Sequence, residues 1–161
     1  MIDHKRIIGT AKDIKEVENA IQVYNQLSNF DACSLQSYLE AHQQLMLGLM
    51  DAPGQFRTGS VGVVQGDKIA HLAPPGCKFD HLMTNLLEYL KNGEDHFIIK
   101  SCVFHYKMEF IHPFFDGNGG MGRLWQTVIS MKVNPVFEYL PIEQEIKKSQ
   151  EEYYQVLSQC D

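Results

Sequence analysis

Residues 112–123 read His112-Pro113-Phe114-Phe115-Asp116-Gly117-Asn118-Gly119-Gly120-Met121-Gly122-Arg123, and the architecture follows from what lies on either side of them. Upstream, residues 96–111 are apolar nearly all round (Phe97, Ile98, Ile99, Val103, Phe104, Phe110, Ile111), with Asp95 available as an N-cap. A helix hydrophobic on every face is expected to be a buried central helix. Downstream, a second helix is expected from about Gly119 to Lys132, stopped by Asn134-Pro135. Further out, Ile14, Val17, Ile21 and Tyr24 keep helical spacing, and a helix from about Ser34 carries Leu35, Leu39, Leu45, Met46 and Leu49 toward a turn at Asp51–Gly54. Val61, Val63 and Val64, then Ile69 and Leu72, flank Gln65-Gly66-Asp67-Lys68 and read as a short hairpin. A helix over 79–90 closes at Asn92-Gly93, and a last one after Pro141 carries Ile142, Ile146, Tyr153 and Leu157. The sum is mainly α: a helical bundle with one short β-hairpin.

At 161 residues and 18.4 kDa there is room for one domain, taken as 1–161 with its core from about residue 14. The formal net charge of -6 and pI near 5.6 argue against a general nucleic-acid binder, which needs a basic face. Met1–Thr10 is charged, and no apolar run approaches the ~20 residues of a membrane span. Cys33, Cys77, Cys102 and Cys160 form no CxxC pair and read as reduced thiols. The expectation is a cytoplasmic protein with no nucleic-acid or membrane partner.

The 112–123 segment carries the chemistry. Three of the four residues 117–120 are glycines at a helix entrance, where unsatisfied N–H groups and the helix dipole favour an anion. Asn118 adds a neutral donor, and Arg123, about one turn on, can fork onto phosphate oxygens. Asp116 is a hard oxygen ligand of the kind Mg²⁺ takes beside a nucleotide. His112 is a base able to accept a proton from a hydroxyl near neutral pH. Together these are the parts of phosphoryl transfer. A rival metal centre would use His105, Glu109 and His112, spaced by four and three, with Asp116; Pro113 should swing His112 off that register. Phe114, Phe115 and Trp125 read as core, His71 and His81 as solvent-facing or structural, and Arg57 as a surface ion pair rather than a phosphate ligand.

The segment resembles the Fic signature HxFx(D/E)GNGRxxR, matched at His112, Phe114, Asp116, Gly117, Asn118, Gly119 and Arg123. The resemblance extends to 104–111, to Gly54-Gln55-Phe56-Arg57 before the hairpin, and to Tyr153-Tyr154-Gln155-Val156-Leu157. It implies a Fic-type bundle that transfers AMP from ATP, with Mg²⁺, to a hydroxyl of a target protein. His112 would then be the base and Asp116 the metal ligand. Asn118 and the segment Gly117, Gly119, Gly120 and Gly122 would cradle phosphates, and Arg123 would grip the terminal one. The hairpin of roughly 61–72 would be a flap pairing with an extended target segment. Tyr153 or Tyr154 would either touch the adenine or pack in the core.

Two departures qualify that picture. Gly120 stands where the signature has its first arginine, and one lost charge-assisted contact costs ~1.5–3 kcal/mol, about one to two decades in rate. Weaker turnover, another donor, or a nucleotide-binding pseudoenzyme are the alternatives. The family's inhibitory pattern (S/T)xxxE(G/N) finds only Glu18-Asn19, with Ile14 where Ser or Thr should stand. That pair reads as ordinary helix surface, and inhibition would then come from a separate partner, from a segment outside this sequence, or not at all.

Overall fold

The computed structural model describes residues 9–59, 62–65, 68–140 and 142–160, with the backbone alone for 62–65 and 68–72. The expected Gly66-Asp67 turn, Val61, Pro141 and the charged start Met1–Ile8 lie outside the described residues.

Helices dominate: α1 (Ala11–Tyr24), α2 (Leu35–Leu45), α3 (Phe79–Asn92), α4 (Phe97–Ile111), α5 (Asn118–Met131), α6 (Ile142–Lys148) and α7 (Gln150–Gln159). Strands β1 (Gly62–Gln65) and β2 (Lys68–Leu72) form one antiparallel ladder, Gly62 opposite Leu72 and Gln65 opposite Lys68, with a register shift after Val63. None of the helices among the described residues is long and apolar enough to cross a membrane.

Helices α4 and α5 make the central pair, joined by the loop 112–117; α3 packs on α4 and α1 on α2. Their approach depends on Gly122, where a Cβ would stand 2.6 Å from Met108 Cε and 2.7 Å from Glu109 Oε1. Phe104, Met108, Leu124, Trp125 and Val128 are buried between them and join Tyr38 of α2 and Met83 of α3 in one core. Trp125 Nε1–H donates to the Ala32 carbonyl at 3.1 Å, so even its polar tip is spent inside.

Several expectations change. Helix α4 is not sunk on every side: Ile98 and Ile99 are 52% and 51% exposed, because its first turns lie outside the core that Phe104 and Met108 fill. Its N-cap is His96, whose Nδ1 accepts from the Ile98 N–H, while Asp95 instead accepts from the Tyr89 hydroxyl at 2.8 Å. Helix α2 ends at Leu45, because the side-chain amide of buried Asn19 takes its Leu45 and Leu47 carbonyls at 3.0 and 2.9 Å. The Glu18-Asn19 pair therefore divides, since exposed Glu18 pairs with Lys15 on its own helix while Asn19 staples α1 to α2. The last helix is two, broken at Ser149. Phe114 is fully buried, but Phe115 is 58% exposed, since the loop turns between them.

Candidate active site

Helix α4 stops at His112. Its N–H still bonds the Met108 carbonyl at 2.9 Å, but its own backbone is left-handed, φ 48° and ψ 60°. Among the described residues it is the one non-glycine with positive φ. Two neighbours impose that conformation. Pro113 disfavours a continued helix for the residue before it, and the His112 carbonyl accepts from Arg57 Nε at 2.7 Å. A local cost of order 1–3 kcal/mol is thus held by surrounding bonds at the residue assigned the chemistry. His112 does leave the helical register, half-buried at the head of the loop.

Arg57 overturns its sequence assignment. It is not a surface ion pair but 1% exposed, with its guanidinium spent on carbonyls: His112, Ile111 at 3.3 Å, Pro74 at 2.9 Å, and Gly59. Its own N–H donates to the Pro113 carbonyl at 2.9 Å, and the charge lies 4.5 Å from the Phe79 ring centre. Gly59 and Pro74 flank the hairpin, so one side chain ties both of its legs to the turn that presents His112. Gly76 lets the returning leg lie close, since a Cβ there would stand 2.7 Å from the Arg57 carbonyl oxygen.

His42, unremarked in the sequence, does the equivalent on the other side. Its Nδ1 accepts from the Gly54 N–H at 2.8 Å, so the proton sits on Nε2, which donates to the Asp116 carbonyl at 3.0 Å. The ring stacks flat on Phe114, 3.6 Å between centres, and burial holds its pKa below the ordinary value.

Asn118 is reassigned too. Its Oδ1 accepts from the Phe114 N–H at 3.0 Å and its Nδ2 donates to the Phe114 carbonyl at 2.8 Å, both buried. The amide closes the loop on itself rather than offering a side-chain donor to a phosphate. The Asp116 carboxylate is exposed, and one of its oxygens accepts from the Gly117 N–H at 2.7 Å. Gly117 has φ 79°, and a Cβ there would stand 2.7 Å from Met46 Sδ, so glycine is required by both conformation and space.

Helix α5 then starts with no side chain capping it, leaving its opening N–H groups and dipole for an anion. Arg123 folds back over that first turn, its Nη1 3.2 Å from where a Cβ on Gly119 would stand. Its Nε donates to Glu143 Oε1 of α6 at 3.3 Å, and the Tyr24 hydroxyl donates to the same oxygen at 3.4 Å. Among the described residues, a Cβ on Gly120 would meet only the tip of Leu45, at 3.2 Å. Gly122 belongs elsewhere: it is buried against α4, a packing glycine rather than part of the anion nest.

The rival metal centre finds no support in the geometry: among the described residues no three or more His, Cys, Asp or Glu gather as a metal group. His105 is committed to the Tyr153 hydroxyl, 2.6 Å from Nε2, and burial lowers its pKa. That same bond occupies Tyr153, while Tyr154 remains exposed.

The Fic/DOC family model matches residues 32–130. The protein adenylyltransferase Fic of Aedes aegypti is 27% identical over 165 residues, covering 99% of this chain and 30% of that protein. The protein of the same name from Drosophila mojavensis is 31% identical over 130 residues, 77% of this chain and 24% of that one. The chain thus spans about a third or less of the length of these curated relatives. A crystal structure of a Fic family protein from Desulfovibrio desulfuricans G20 superposes with TM-score 0.91 at 46% identity, covering 98% of this chain and 48% of that one. A Fic domain containing signaling protein from Bacteroides thetaiotaomicron gives TM-score 0.77 at 19% identity, covering 100% and 62%, a likeness of fold alone.

Proposed function

The chain belongs to the Fic/DOC family, and on that premise we propose that it transfers AMP from ATP to a hydroxyl side chain of a target protein. The observation that carries this reading is the left-handed His112 turn, braced by Arg57, beside the glycine-lined entrance of α5.

In this reading the His112 imidazole accepts the proton of an incoming Tyr, Thr or Ser hydroxyl. The hydroxyl oxygen bonds to the α-phosphorus, the bond to the β-bridging oxygen breaks, and pyrophosphate leaves. The opening N–H groups of α5, from Asn118 through Gly120, hold the phosphates, with Gly117 making the turn that presents them, and Arg123 leaves Glu143 to grip the terminal one. Asn118 acts by keeping the loop closed. Asp116 fits Mg²⁺: its exposed carboxylate keeps hard oxygens free beyond the bond from Gly117, and one such carboxylate beside phosphates is a usual Mg²⁺ set. When bound, the ion would neutralise phosphate charge. The hairpin, tied at its base by Arg57, receives the target backbone along a strand edge.

Gly120 supports a weakened enzyme, because an arginine is missing from the phosphate side while the base and the loop are in place. Incubation with α-labelled and γ-labelled ATP in parallel tests the reading. Protein labelled from the α position supports it. Label from the γ position alone would mean kinase-like transfer, and nucleotide binding without either label would mean a pseudoenzyme.

A further inference from the structure

Glu109 has no part in the transfer just described, yet its placement is costly. The residue is half-buried, but its Oε1 is sealed from solvent and has no hydrogen-bond partner among the described residues. A buried acceptor left so needs a physical account. The bare backbone of Gly122 sets it there: a Cβ on that glycine would stand 2.7 Å from the oxygen, so the carboxyl of α4 lies directly on α5, one residue from Arg123.

The groups facing it come from several elements. His105 lies one turn back on α4 and is bound to Tyr153 of α7. Tyr38 of α2 has a buried hydroxyl with no partner among the described residues, and the charge of Glu109 bears on it. Arg123 of α5 is the cation that favours the ionised carboxylate. Arg123 in turn meets Glu143 of α6, which Tyr24 of α1 also contacts. Burial pushes the Glu109 carboxyl up to about 7, with Arg123 opposing. Near neutral pH its charge therefore depends on what else Arg123 holds.

Resting on the nucleotide-binding reading above, we propose that Glu109 is the charge counterpart of Arg123, and that seating a polyphosphate on Arg123 drives Glu109 to take up a proton from solvent. The bound phosphate brings negative charge next to the guanidinium and cancels the field that kept the carboxylate ionised. The carboxylate then accepts H⁺ and becomes a neutral acid. Glu109 is a positioning residue in this scheme, acting on the ligand only through Arg123. By linkage, a site that gains a proton on binding loses affinity as pH rises through the range of that group.

The test uses α,β-methylene ATP with saturating Mg²⁺, whose α position cannot transfer. Titration calorimetry at pH 7 in buffers of different ionisation enthalpy counts the protons taken up. Wild type is expected to gain about half a proton, with affinity falling roughly three- to tenfold from pH 6 to 8. Glu109→Gln, which imitates the neutral acid, should still bind, gain none through this route and show a flatter profile. Carboxyl-¹³C glutamate NMR on the wild type avoids dependence on the variant: the Glu109 midpoint should rise by about one pH unit when nucleotide is added. Equal proton uptake in both proteins, or an unmoved Glu109 midpoint, overturns this inference alone. Absence of nucleotide binding in the wild type overturns the functional reading and this inference with it.

Discussion

The loop between α4 and α5 has two flanks built on opposite plans. From His112 to Asn118 the loop is fixed by inward hydrogen bonds, two from distant residues, Arg57 on the His112 carbonyl and His42 on the Asp116 carbonyl, and a local buried pair from Asn118 on both polar groups of Phe114. From Gly119 to Arg123 there is little of this. The helix start has no side-chain cap, Gly120 has no side chain, and among the described residues Arg123 is held by one 3.3 Å contact to the exposed Glu143. A base must stand ready before its substrate arrives, since misplacement by about 1 Å can cost a hundredfold. A phosphate grip can afford to close on its ligand. One flank is preorganised, and the other holds only a placeholder.

The contrast can be broken most severely at Arg57. Arg57→Met leaves the carbonyls of Gly59, Pro74, Ile111 and His112 without their donor, and urea denaturation should show a loss of ~3–5 kcal/mol. On the other flank, Gly120→Arg should raise the transfer rate by one to two decades, equivalent to ~1.5–3 kcal/mol. The new Cβ meets only the flexible end of Leu45, so stability should change little, which thermal unfolding checks.

Between the flanks, Glu109 makes stability depend on pH. Its folded pKa of about 7 lies above the ordinary glutamate value of 4.5, so between these pH values the folded protein binds more protons than the unfolded one. Stability contributed by the neutral acid is therefore complete below about pH 4.5 and is lost as pH rises through 7. Denaturation of wild type against Glu109→Gln should show a difference that grows with pH over this range, by at most ~3 kcal/mol. The smallest effect is expected at the placeholder. Glu143→Gln should cost under ~1 kcal/mol of stability, as an exposed pair does. It should also tighten nucleotide binding a few-fold, measured by calorimetry, because Arg123 no longer has to leave a partner.

What could be seen in the sequence follows the same division. His112, Asp116, Gly117 and Arg123 are close in the chain, so their chemistry shows as an ordered set, and periodicity locates the helices that carry them. The braces are hidden for a physical reason. Arg57 and His42 bond to backbone carbonyls 55 and 74 positions away, and a carbonyl leaves no mark on residue type. A buried arginine without a carboxylate partner therefore looks like any surface arginine. Asn118 was recognisable as a loop residue but not as one already satisfied by Phe114. Apolar content alone also overstates burial, as Ile98 and Ile99 show, because it counts side chains without knowing which neighbours cover them. Gly122 reads like one more glycine of the nest, and only the crossing of α4 and α5 reveals it as a contact surface.

The central claim is that His112 takes the proton of the attacking hydroxyl. The most direct measurement is the initial rate of α-label transfer from ATP by wild type and by His112→Ala, each confirmed folded by circular dichroism and able to bind nucleotide. The expected result is a fall of roughly 10²–10⁴-fold with nucleotide affinity within a few-fold of wild type. An alanine variant that transfers at the wild-type rate would contradict the account.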